Sequence, residues 1–158
     1  MEMKKQFIPL LLALAVCAGL LCVPAYASSG EFTIKDGVLT KYNGSGGNVI
    51  IPDGVTEIGL GAFSHCTGLT SLDIPNSATE IGAYAFNGCA SLTSLDIPNS
   101  VTVIGQSAFY GCTGLTSMTM PNSVTEIGIE AFGHCTGLSR VTIPDIYHKK
   151  GGGAGRLG

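Results

Sequence analysis

TGLTSLDIPNSATEIGAYAFNGC, Thr67 to Cys89, decides the fold, because most of the chain is this stretch written again. Cys66, Cys89, Cys112 and Cys135 stand 23 residues apart. Phe63, Phe86, Phe109 and Phe132 keep the same step, as do Ile58, Ile81, Ile104 and Ile127. A fixed period of this length marks a solenoid, whose units cannot bury an apolar face alone and must stack. Working outward, the units read NVIIPDGVTEIGLGAFSHC from Asn48, then the quoted stretch, ASLTSLDIPNSVTVIGQSAFYGC, TGLTSMTMPNSVTEIGIEAFGHC, and a final TGLSRVTIP ending at Pro144. Positions that repeat unchanged report packing; positions that drift report solvent.

The unchanging set includes Leu69, Leu92, Leu115 and Leu138, the pair Leu72 and Ile74 with its equivalents, the Ala-Phe pair, and Cys. Leu72 and Ile74 are two apart and share one face of a short strand, so Ser71 and Asp73 take the other. The prolines at Pro52, Pro75, Pro98, Pro121 and Pro144 end each strand, since proline donates nothing to a ladder. Thr-Glu-Ile is β-prone, with Val55 and Ile58 able to turn inward, and Gly59 allows a sharp turn. Ala62-Phe63 with Cys66 has the spacing of one helical turn, too short to stand as a free helix. Each unit offers about six or seven inward apolar residues, each contributing roughly 1.5–3 kcal/mol when fully buried. Stacked at about 4.8 Å, the rungs form a mainly β solenoid with a parallel sheet on one face and short irregular or single-turn helical returns.

The flanks differ from the repeat. Residues 1–27 read as a secretory signal peptide: Lys4 and Lys5, an apolar run, then Ala25-Tyr26-Ala27 before the polar Ser28-Ser29. A retained membrane anchor is the other reading of that run. A lipoprotein signal fits poorly, because Val16 and Leu21 precede the cysteines where a small residue is wanted. Residues 28–47 form an N-terminal β-hairpin cap and joint, with Asp36-Gly37 suited to a tight turn between Phe32–Lys35 and Val38–Tyr42. Residues 48–144 are the repeats. Residues 145–158 are a basic, glycine-rich tail unlike the repeat, read either as native or as the truncated or frame-shifted end of a longer protein. The tail has too little apolar surface to cover the last rung, which leaves an open edge near Arg140 and a route to self-association.

The L-x-x-L-x-I-P run, the I-G-x-x-A-F run and the closing Cys resemble the bacterial leucine-rich repeats of the BspA type, also described from treponemal proteins. The resemblance covers about Phe32 to Pro144. It implies an extracellular or cell-surface protein, and adhesion or host-protein binding as the kind of work such proteins do.

Residue chemistry points the same way by exclusion. With 1–27 removed, six basic residues face ten acidic ones, a net charge of about −4. From Gly44 to Pro144 the only basic residue is Arg140, which argues against nucleic acid and anionic membrane surfaces. Four equally spaced cysteines invite disulfides or a metal. They form a column along the axis rather than a convergent set, so core packing is preferred over either. His65 and His134 lie three rungs apart, roughly 14 Å, too far to share a metal. Glu57, Glu80 and Glu126, interrupted by Val103, read as a solvated acidic stripe, because a repeated position gives each carboxylate the same surroundings and glycoside chemistry needs two different ones. No nucleophile elbow, zinc-protease motif or phosphate loop occurs. Asn43-Gly44-Ser45 fits a glycosylation sequon.

What remains is the exposed side of the sheet. Alternation places Asn48 and Ile50, Ser71 and Asp73, Ser94 and Asp96, Ser117 and Thr119, and Arg140 and Thr142 there. Ligand binding and plain solvation both stay open for that face, and Tyr84 and Tyr110 are second candidates for contact. The expected function is a secreted or cell-surface, non-catalytic module for protein binding or adhesion, with an extracellular partner on a host or neighbouring cell. No cofactor, metal or membrane span after cleavage is expected. The alternative is a structural spacer within a larger surface protein.

Overall fold

A computed structural model describes residues 30–142. The signal-peptide and tail readings lie outside the described residues. Eleven strands follow in order: β1 (Phe32–Lys35), β2 (Val38–Tyr42), β3 (Gly47–Ile50), β4 (Glu57–Ile58), β5 (Leu69–Asp73), β6 (Glu80–Ile81), β7 (Ser94–Asp96), β8 (Val103–Ile104), β9 (Ser117–Thr119), β10 (Glu126–Ile127) and β11 (Arg140–Thr142). The Leu-x-Ile strands stack in parallel as β3-β5 and β7-β9-β11. The architecture is a β-solenoid of leucine-rich rungs.

The Thr-Glu-Ile segments add a second parallel ladder, β4-β6-β8-β10, where the sequence marked only β-prone returns. The hairpin joins this second ladder. β1 pairs antiparallel with β2, and β2 runs parallel to β4 with Leu39 beside Ile58. Asp36 and Gly37 turn the hairpin in left-handed conformations (φ 52° and 81°), as a tight two-residue turn requires.

The returns are irregular and contain no helix among the described residues. In each rung one i→i+3 turn follows another: the Ala62 amide donates to the Gly59 carbonyl, Ser64 to Gly61 and Cys66 to Phe63. Two left-handed positions per rung stop a helix from forming. Gly61, Tyr84, Ser107 and Glu130 hold one (φ 50–61°), and His65, Gly88, Gly111 and His134 hold the other (φ 55–72°). The turns lean on the next rung for support. The Phe63 amide donates to the Ala85 carbonyl (2.8 Å), Phe86 to Ala108 (2.7 Å) and Phe109 to Ala131 (2.7 Å).

Gly59, Gly82, Gly105 and Gly128 are required for a different reason from the sharp turn read in sequence, since none is left-handed. Each amide donates one rung back, Gly105 to the Ile81 carbonyl at 2.7 Å. A Cβ on Gly105 would stand 2.5 Å from the Ala83 nitrogen and 2.7 Å from the Gly82 carbonyl carbon. The rungs touch backbone to backbone here, and only glycine leaves room.

The core is a set of columns. Leu69, Leu92 and Leu115 are fully buried, as are Ile58, Ile81 and Ile104. The phenyl rings stack along the axis: Phe63 to Phe86 5.0 Å, Phe86 to Phe109 5.1 Å, Phe109 to Phe132 5.3 Å between centroids. Tyr42 begins this stack at 4.8 Å from Phe63, so the hairpin supplies the first ring from outside the 23-residue period.

Candidate binding surface

The exposed side of the Leu-x-Ile ladder is ruled by register. Asn48 lies beside Ser71 and Ile50 beside Asp73; Ser94, Ser117 and Arg140 form one row further along, and Asp96, Thr119 and Thr142 another. Asp73, Ser94, Asp96, Thr119, Arg140 and Thr142 are exposed, while Ser71 and Ser117 are half-buried. The intervening Leu72, Leu95 and Met118 face the core, so period-two alternation sets both sides. The structure therefore brings all eight sequence-selected residues onto one face.

A hydroxyl ladder stiffens the entry to that face. Thr93 Oγ1 donates to the Thr70 carbonyl (3.3 Å), Thr116 Oγ1 to Thr93 (3.2 Å) and Ser139 Oγ to Thr116 (3.2 Å). These residues escaped the sequence reading, although a Thr or Ser stands one place before Ser71, Ser94, Ser117 and Arg140. At the first strand, Ser71 Oγ donates to Asn48 Oδ1 at 2.8 Å.

One joint on this face differs. β5 and β7 are neighbours joined by the Thr93 amide donating to the Thr70 carbonyl (3.3 Å), without the regular ladder of β3–β5, β7–β9 and β9–β11. The rung that follows the joint carries Ser91 where its equivalents are Gly68, Gly114 and Gly137. A Cβ at any of those glycines would overlap a carbonyl oxygen one rung back, such as that of Ala90 for Gly114.

The other candidates separate in space. The cysteines are free thiols, and Cys89, Cys112 and Cys135 are buried. Each donates its Sγ–H to a phenylalanine carbonyl, Phe63, Phe86 and Phe109 in turn, at 3.1–3.2 Å. Burial pushes the Cys89 thiol up to about 12. A protonated, hydrogen-bonded thiol is a poor nucleophile and a poor ligand. His65 overlies Gly88 and His134 packs on Tyr110 at 4.9 Å, so the two histidines serve different rungs. Among the described residues no group of three or more His, Cys, Asp and Glu side chains is placed to hold a metal ion. Glu57, Glu80 and Glu126 share a row with Val103 on the second ladder, away from the eight. No helix among the described residues is long and apolar enough to cross a membrane.

Solved structures share this arrangement. A leucine-rich repeat protein of T. pallidum is 32% identical at a TM-score of 0.61, over 74% of this chain and 71% of that one. A leucine-rich repeat protein of Bacteroides ovatus is 32% identical at a TM-score of 0.51, over 73% of this chain and 39% of that one. A leucine rich cell surface protein of Faecalibacterium prausnitzii is 33% identical at a TM-score of 0.50, over 66% of this chain and 34% of that one. The chain thus spans well under half the length of the last two. No curated protein matches it. The BspA type leucine rich repeat region matches residues 33–151 in six copies, and with the rungs and columns described above the chain belongs to the BspA-type leucine-rich repeat family.

Proposed function

We propose that this protein is a secreted or cell-surface module that binds an extracellular protein of a host or neighbouring cell through the β5-β7-β9-β11 face. The observation that carries this reading is the pair of in-register rows of short polar side chains, held on a parallel ladder whose reverse side is the core. Such a surface is flat, rigid and pre-ordered, so little side-chain entropy is lost on contact. The family supports a repeat module for protein interaction, and its members are typically secreted or surface proteins of a non-catalytic kind. The domain plan belongs to the same proposal: leader 1–27, hairpin cap and joint 28–47, repeats 48–144, tail 145–158. So does contact between copies through the edge of the last rung near Arg140 in β11.

A spacer role is the second reading, favoured by the much greater length of the B. ovatus and F. prausnitzii proteins. The double variant Asp73→Ala, Asp96→Ala separates the two. Retention on a surface coated with extracellular matrix protein is expected to fall about tenfold with an unchanged melting curve. Unchanged retention by the variant would move the contact to another face, and absence of retention by the wild type would support the spacer.

A further inference from the structure

The sheet β1-β2-β4-β6-β8-β10 has two outer edges, and what it presents at one answers what it presents at the other. Two rows cross it in register. One runs Ile34, Leu39, Ile58, Ile81, Ile104, Ile127; the other runs Lys35, Val38, Glu57, Glu80, Val103, Glu126. The inner members of the first row are fully buried, whereas Ile34 is 42% exposed and Ile127 37%. The second row begins on a lysine and ends on a glutamate, both exposed, and neither has an ion-pair partner among the described residues. We infer that this protein associates head to tail, β1 of one copy pairing with β10 of the next, so that Ile34 meets Ile127 and Lys35 meets Glu126. The inference rests on the reading of contact between copies at the last rung, and it names the sheet, the register and the partner edge.

Backbone geometry fits this pairing. The carbonyls of Ile58, Ile81 and Ile104 each accept from the glycine amide of the next rung at 2.7 Å, while the Ile127 carbonyl receives no amide among the described residues. At the other edge the Leu39 carbonyl turns toward β4 and accepts from Gly59. Ile34, opposite Leu39, therefore turns its own backbone groups to the outside. Ile34 and Ile127 can exchange the two hydrogen bonds of an antiparallel pair, and β1 has that direction relative to β10. Lys35 then falls opposite Glu126. A bulge between Thr33 and Ile34 leaves Ile34 and Lys35 as the straight part of the edge, matching the two residues of β10. The incoming strand also has a place to sit. β5, β7 and β9 are each followed by a strand of the second ladder and β11 by none among the described residues, so β1 of the neighbour fills the level that β11 opens. Charge sets the choice of edge. The described residues hold lysine only at Lys35 and Lys41, in the hairpin, and the last rung carries Glu126 and Glu130. A lysine on an edge strand blocks indiscriminate pairing, and an opposite charge directly across is the neighbour that accepts it. Such a contact joins two different patches and repeats without closing.

Sedimentation velocity of the full chain over a concentration series tests this. The average mass is expected to rise past that of a dimer without a fixed end point. Lys35→Glu and Glu126→Lys each place like charges across the contact, and each alone is expected to weaken association about tenfold. Mixed in equal amounts, the two variants are expected to associate as strongly as the wild type, because each then offers the other an opposite charge at both edges. Both positions are exposed, so the melting curves of the variants should match that of the wild type. A wild type that stays monomeric at every concentration, a mass that stops at the dimer, or a mixture no stronger than its parts would overturn the inference. So would slow exchange of the Ile127 amide at a dilution where copies are apart, which would mean that the chain's own residues beyond 142 cover the edge. If both variants associate like the wild type while Arg140→Glu weakens association, the contact near β11 stands and this pairing does not.

Discussion

Phe109→Ala is expected to cost about 3–5 kcal/mol, among the largest effects of a single substitution in the solenoid. Phe109 is fully buried and stacks on both sides, on Phe86 at 5.1 Å and Phe132 at 5.3 Å. Removing its ring leaves a void between two others, and the rungs above and below cannot close on it. Their separation is fixed by backbone hydrogen bonds, including Phe86 to Ala108 and Phe109 to Ala131 at 2.7 Å. The melting temperature should fall by more than about 10 °C. Phe132→Ala removes the same ring where it stacks on one neighbour and is slightly exposed, so roughly half the loss is expected. Thermal denaturation followed by circular dichroism checks the pair. Equal losses at the two positions would mean that the stack contributes nothing beyond individual burial.

Gly105→Ala is the second. Adding one methyl group places a Cβ 2.5 Å from the Ala83 nitrogen, well inside contact distance, with backbone rather than a flexible side chain in the way. The rungs must separate, and the Gly105 amide bond to Ile81 lengthens with them. A loss of about 2–4 kcal/mol is expected. Gly54→Ala is the contrast: nothing lies within 4 Å of its Cβ position, and its left-handed φ of 90° alone sets a smaller cost of about 1–2 kcal/mol. Urea denaturation midpoints of the two variants rank them. A greater loss at Gly54 would show that conformation, not close approach, governs the glycines of the repeat.

The repeat made the core columns legible before any coordinates. Phe63 through Phe132 keep one step, and stacking is the only arrangement that buries them all. Alternation around Leu72 and Ile74 likewise fixed which side chains line the polar face. Tyr42 was hidden because it sits outside the period, in a hairpin whose docking onto β4 is set by tertiary contact. The second ladder was hidden because Glu57–Ile58 and its equivalents are two-residue strands, too short for a period to show. The left-handed turns were masked by chemistry: Tyr84, Ser107, Glu130, His65 and His134 stand where glycine would have announced the conformation.

These features assign separate tasks to separate parts of the rung. Phe, Leu and Cys hold the stack together, glycine sets how closely rungs approach, and the exposed side chains of the polar face, Asp73 to Thr142, stay outside the core. The central claim is that this face, and not the glutamate row on the second ladder, makes the contact. Site-specific photo-crosslinking measures it most directly. One photoreactive side chain is placed at Asp96 and, in a second protein, at Glu80, and both are irradiated on the surface of cells. An adduct at position 96 that is absent at position 80 is the predicted result, and adducts from position 80 alone would contradict the account.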